Sequence, residues 1–190
     1  MASITKAYDS HAQARAAVTA LEEAGVSSGD ISIVANRSVD PRYDDDGSET
    51  AAGAGIGAVL GGGAGLLAGL GLLAIPGLGP VVAAGWLAAT AAGAVAGGAT
   101  GGIVGALVDA GTSKEDAHVY SEAVRRGATL VTVKTDGGNE DVVHAILDEE
   151  EPIDPAERRR EYASTGWREF DPAAVDYKPT EIEAERMRRL

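Results

Sequence analysis

Residues 51–108 read AAGAGIGAVLGGGAGLLAGLGLLAIPGLGPVVAAGWLAATAAGAVAGGATGGIVGALV, and the fold turns on this stretch. It runs for 58 residues without one charged side chain, and its only side-chain hydrogen-bonding groups are Thr90, Thr100 and the indole of Trp86. A helix at a protein surface needs a polar face, and no rotation of this segment supplies one. The run is therefore buried, either in protein or in lipid.

Its glycines are spaced. Gly53, Gly57, Gly61, Gly65 and Gly69 recur every fourth residue, and Gly85, Ala89, Gly93, Gly97, Gly101 and Gly105 repeat that interval. Such residues share one slowly drifting helical face, and a stripe without side chains lets two helix backbones approach closely. Between the stripes, Pro76, Gly77, Gly79 and Pro80 break the helix, because proline lacks the amide donor and disfavours the α region before it. The spacing predicts an apolar helical hairpin over 51–110 with its turn at 75–80 and the two stripes as its interface. Each arm of ~25 residues would span ~37 Å, enough for a hydrocarbon layer of ~30 Å. Arg37, Arg42 and Lys114 flank the run and no charge lies in the turn, which places both termini in the cytoplasm by the positive-inside rule. Gly63-Ala64-Gly65-Leu66-Leu67-Ala68 approximates a dinucleotide fingerprint, but no strand precedes it, and the absence of lysine from the run rules out a phosphate loop there.

The flanks have a different grammar. Over 1–43, Ser3 to Tyr8 is a short strand. Ser10 with Gln13 forms a capping box, and Ala14, Ala17, Val18, Leu21 and Ala24 recur at helical spacing until Gly25. Ile31, Ile33 and Ala35 alternate as a strand. Residues 44–50, with Asp44, Asp45, Asp46 and Glu49, form an acidic linker without the pattern of a calcium loop. Over 111–155, Ser113 starts a helix carrying Ala117, Tyr120, Ala123 and Val124 up to Gly127. Thr129 to Val133 is a strand, and Asn139 caps a helix bearing Val142, Val143, Ile146 and Leu147. Ile153, between Pro152 and Pro155, hints at an edge strand. Without the apolar run and one extra helix, this is the order of a ferredoxin-like, split βαβ fold. The fold class is α+β: a small domain interrupted by a glycine-zipper hairpin and followed by a charged tail over 156–190, anchored by Trp167, Phe170 and Tyr177.

Composition narrows the function. With 16 basic and 29 acidic side chains the net charge is −13, so phosphate-backbone binding has no electrostatic footprint and nucleic acid is not a partner. The chain has no cysteine, which excludes disulfides, thiolate zinc sites and a cysteine nucleophile. His11, His118 and His144 fall in three different helices without metal-ligand spacing. No nucleophile elbow occurs, Asp148 to Glu151 is a solvated helix end, and Arg158-Arg159-Arg160 is too short for a polybasic anchor. The first residues, with Lys6 and Asp9 and no apolar core, are not a signal peptide. No catalytic, cofactor-binding or metal residue is expected, and no small-molecule substrate is identified.

Ala16-Ala17-Val18 to Gly25, Ile31 to Ala35, Leu73 to Gly85, Tyr120 to Gly127, Leu130 to Val133, and Gly166-Trp167 to Asp171-Pro172 together resemble the general stress protein 17M-like (heat-induced stress protein) family of bacteria. The resemblance covers nearly the whole chain and departs from the family pattern at the proline-bracketed final strand. It implies a stress-associated, non-catalytic role and carries no catalytic residues. Two expectations follow. One is a protein held in the inner membrane by the hairpin, with lipid as its partner and an acidic cytoplasmic α+β domain. The alternative is a soluble structural protein, a homo-oligomer assembled through the apolar run.

Overall fold

A computed structural model describes residues 2–36, 71–75, 78–96, 102–174 and 177–187. At the centre of its sheet lies β5 (Thr129–Thr135), antiparallel to β1 (Ala2–Tyr8) on one side and to β2 (Ile31–Asn36) on the other. β1 and β2 are therefore parallel to each other with β5 between them, joined by α1 (His11–Glu23). The sheet continues through β4 (Gly79–Ala84) to β3 (Gly71–Ile75), giving five strands in the order β1-β5-β2-β4-β3, with the last two pairs also antiparallel. The protein is α+β with an antiparallel sheet.

Side chains alternate across a strand, and in β2 and β5 both faces are dry. Ile4, Tyr8, Ile31, Ile33, Val131 and Val133 pack with α1 and with α5 (Glu140–Glu149). Ala7, Val34, Val81, Ala83 and Leu130 face the other way, against α2 (Trp86–Ala96), α3 (Gly102–Asp109) and α4 (Lys114–Arg125). The sheet is thus the middle of three layers. Beyond α5 come α6 (Pro155–Ser164) and α7 (Pro179–Met187).

Local signals fall where the residues put them. The Ser10 hydroxyl accepts from the Gln13 amide at 3.2 Å and the Gln13 carboxamide accepts from the Ser10 amide at 3.2 Å. Gly25 follows α1 with φ of +87°, the left-handed geometry that ends helices at glycine. Ser113 caps α4 through the Asp116 amide at 3.1 Å. Asn139 precedes α5 but makes no side-chain capping bond, and Val142 on that helix is 53% exposed. Ile153 donates its amide to the Ala7 carbonyl at 2.7 Å, on the outer side of β1. The contact does not extend into a strand, because Pro152 and Pro155 lack the donors a ladder needs.

The apolar run differs from the expected helical hairpin. Over 71–75 and 79–84 it forms two antiparallel strands, with Leu73 opposite Val81 and Ile75 opposite Gly79. Gly79 and Pro80, expected in a helix-breaking turn, belong to β4; Pro76 and Gly77 lie outside the described residues. Proline-glycine sequences between short apolar segments close strands as readily as helices, and period alone cannot separate a short buried strand from a buried helix. In the second arm the described helices, Trp86–Ala96 and Gly102–Asp109, have 11 and 8 residues, whereas a membrane span needs ~20. Their Leu87, Ala88, Ala91, Ile103, Ala106 and Leu107 are buried in the core beside the sheet. Among the described residues no helix is long and apolar enough to cross a membrane. The membrane-spanning reading, and the inner-membrane location drawn from it, is corrected accordingly: the described part of the second arm is dry because protein covers it.

Two stripe glycines separate the possible causes of their spacing. Gly85 has φ of +92°, and a Cβ there would sit on the Ile31 carbonyl oxygen and 2.7 Å from Ser32 Cα. Gly105, inside α3, has open space at the same position. Gly85→Ala is expected to cost ~2–5 kcal/mol through left-handed strain and overpacking. Gly105→Ala is expected to be neutral or stabilising by up to ~1 kcal/mol through helix propensity. Urea melts of the two variants check both signs.

A second expectation concerns alkaline pH. Tyr8 is fully buried and its hydroxyl donates to the Leu147 carbonyl at 2.8 Å. Burial, with Asp148 and Glu150 nearby, pushes its ionisation upward, and burial does the same to Tyr120 beside Asp116. The folded pKa lies above the unfolded value of about 10, so this stability is full below about pH 10 and is lost as pH rises further. Stability measured against pH should fall above about pH 10 with a slope that Tyr8→Phe reduces by one proton.

Candidate functional site

The densest chemistry lies where the C-terminal part of the chain crosses α4. Asp154 precedes α6 and its carboxylate accepts from the Ala156 and Glu157 amides at 2.7 and 2.9 Å. Those backbone hydrogen bonds hold it below the usual carboxylate range. The resulting helix aims two arginines. Arg158 grips the Asp9 carboxylate with both terminal nitrogens, at 2.9 and 2.6 Å, and Arg159 reaches Asp116 of α4 at 2.7 Å. Burial works against the Arg158 charge, but the Asp9 hydrogen bond and the charge interactions with Tyr162 and Asp9 together outweigh it and push the guanidinium pKa up.

On α4, one helical turn brings Glu122 beneath Arg125 and Arg126. The Glu122 side chain is fully buried. Its Oε1 accepts from Arg126 Nε at 2.7 Å, and its Oε2 lies 2.6 Å from Arg125 Nη2. Arg126 also donates to Glu185 of α7 at 2.8 Å. Burial disfavours the Arg126 charge, yet the hydrogen bonds to Glu185 and Glu122 prevail and raise its pKa. Aromatic rings complete the lattice. The Arg126 guanidinium sits 4.3 Å from the Tyr162 ring centre and 5.1 Å from that of Tyr177. Arg125 lies 5.6 Å from Phe170 and 5.2 Å from Tyr177. Tyr177 donates to Glu122 Oε1 at 3.4 Å, and burial raises the Tyr177 pKa despite Arg126.

A cavity of about 600 Å³ opens beside this lattice, lined by Arg126, Glu161, Tyr162, Trp167, Tyr177 and Glu185 among others. Trp167 meets Tyr162 edge-to-face at 5.5 Å. Charges and rings here engage one another, an arrangement suited to clamping segments together. Among the described residues no group of three or more metal-ligating side chains converges. His11, His118 and His144 sit on α1, α4 and α5.

The expected hairpin-interface residues do not form one described site. Gly53, Gly57, Gly61, Gly65, Gly69, Gly97 and Gly101 lie outside the described residues. Gly85 packs on β2, Ala89 is exposed on α2, Gly93 lies in α2, and Gly105 lies in α3. Phe170 and Tyr177 do anchor the tail. The α4 lattice and the arginine clamps of α6 were not foreseen. Asp154-Pro155 offered a signal, since a capping aspartate followed by proline marks a helix start. The burial of Glu122 had none, because a Glu-x-x-Arg-Arg sequence is ordinary on a wet helix.

Compared with protein-family models, curated proteins and solved structures, the chain matches none.

Glu122 is the carboxylate paired with buried Arg125, while Arg126 also holds Glu185, so Glu122→Gln keeps the shape and strands the Arg125 charge. Breaking a buried pair typically costs ~3–5 kcal/mol. Denaturant unfolding should show a loss of that order, whereas Glu157→Gln, on the exposed side of α6, should change stability by less than ~0.5 kcal/mol.

Proposed function

We propose that this chain is a non-catalytic structural or interaction protein that associates with further copies of itself through the uncharged end of its sheet. The observation that carries this is the position and composition of β3. It is the terminal strand, and among the described residues nothing pairs with its outer edge. Edge strands usually carry lysine, proline or a bulge that blocks pairing with another chain; β3 reads GLLAI and β4 reads GPVVAA, with no charge in either. The opposite end of the sheet carries Lys6 on β1 and the Ile153 contact. Two chains of net charge −13 repel at most approaches, and the β3 end is where they meet with least repulsion. Antiparallel pairing of β3 with the β3 of a second copy gives a self-complementary, two-fold contact.

The resemblance to the general stress protein 17M-like family makes a stress-associated role the accompanying reading, with the β1-α1-β2 and β5-α5 units as a ferredoxin-like core. The residues between β2 and β5 form an insertion in that core, and the cytoplasm is the compartment this reading assigns. Light scattering on eluting full-length protein is the test, with a dimer or larger species expected. Leu73→Lys, which puts a charge on the edge strand, should shift it to monomer while a thermal melt stays cooperative. A wild-type protein that is monomeric at every concentration would falsify the association.

A further inference from the structure

After α6, residues 167–174 lie over α4 as a strap, beginning after Gly166, whose φ of +89° is the left-handed geometry that favours glycine. Two observations bear on how the strap is held. The Phe170 amide donates to Nδ1 of His118 at 3.2 Å. That bond needs a neutral imidazole with its proton on Nε2, because both nitrogens of the imidazolium are donors. The strap also closes over Arg125, which is 6% exposed and whose Nε and Nη1 hydrogen-bond to nothing. Water would satisfy those donors if the strap lifted, so the closed state carries a built-in cost.

We propose that the strap is a pH-sensitive latch: protonation of His118 removes the acceptor for the Phe170 amide and raises the opening of residues 167–174 over α4. The surrounding charges leave the change largely uncompensated. On α4, Glu122 is engaged with Arg125 and Arg126, and Asp116 is engaged with Arg159 of α6. Lys114 and Glu115, one turn before His118, are exposed, as are Arg168, Glu169 and Asp171 around Phe170 on the strap and Asp109 at the end of α3. Exposed charges are screened and hold an imidazolium only weakly. Phe170 and Ile182 stay buried in the closed form, so acid loosens the strap without unfolding the domain. Loss of one hydrogen bond corresponds to an opening equilibrium shifted about five- to tenfold.

Amide hydrogen exchange on the full chain, corrected for the intrinsic pH dependence, reads this directly across the histidine range of about pH 5 to 8. Protection of the Phe170 amide should fall about five- to tenfold toward the acid end while Val131 in β5 holds its protection. In His118→Gln, whose carboxamide oxygen accepts at every pH, the Phe170 protection should be the same at both ends. A pH-independent wild type, or an equal acid loss in His118→Gln, overturns the latch. Should the variant misfold, the wild-type Phe170 amide shift decides. It must follow the titration of His118, and a shift that follows His11, His144 or no histidine overturns the proposal equally.

Discussion

Two central strands with no wet face, β2 and β5, govern everything else in this molecule. Every residue of β2 is buried, and β5 is buried except at Lys134. The polar side chains trapped there are bonded: Ser32 donates to the Ala84 carbonyl at 2.8 Å, and the Thr132 and Thr5 hydroxyls meet at 3.2 Å. Two dry faces need two helical layers. α1 and α5, which directly follow β1 and β5, cover one. Neither has a partner for the second face, and the chain supplies one by inserting α2, α3 and α4 between β2 and β5. Lacking a polar face suits this role, because exposed positions such as Ala89 and Thr90 are small and present little apolar area to water.

The charged tail solves a different problem. A segment with few apolar side chains cannot gain enough burial to dock by the hydrophobic effect alone. It docks with Phe170, Ile182 and Tyr162 as buried points, and between them with guanidinium groups set against rings and carboxylates. Buried ion pairs add little net stability relative to apolar packing. They do fix geometry, since Glu122 can serve Arg125 and Arg126 only while both side chains fold back along α4. That conformation presents Arg126 to Glu185 and to two tyrosine rings. The arginines therefore set where the strap lies more than how tightly the domain holds.

Much of this was legible in residues with local causes. Ser10 and Gln13, Gly25, Ser113, and the alternation of Ile31 with Ile33 act within a few positions, and each appears where its chemistry puts it. The α+β class was legible too, because it needs only the mix of element types. What escaped depended on partners distant in the chain. Arg158 with Asp9 and Phe170 with His118 are long-range pairs, and nothing local to either residue announces the other. Asn139 shows the converse: a preferred capping residue whose carboxamide is left without a capping bond.

The described part of the apolar run differs from a membrane hairpin for a reason that lies in the physics of burial. Lipid and protein interior both exclude water, so absence of charge cannot tell them apart. The distance between breakers can. Pro76, Pro80 and Gly85 punctuate the run at intervals that suit strands, and the two helices described after them have 11 and 8 residues against the ~20 of a membrane span. The glycine period was equally ambiguous. Gly85 is required by its positive φ and by the Ser32 backbone beneath it, whereas Gly105 meets nothing. One regular spacing thus contains residues with unrelated causes. Close helix packing requires small residues at intervals of about four, but the interval does not require close helix packing. A stripe becomes an interface only where a second backbone lies against it, and at Gly85 that backbone belongs to a strand.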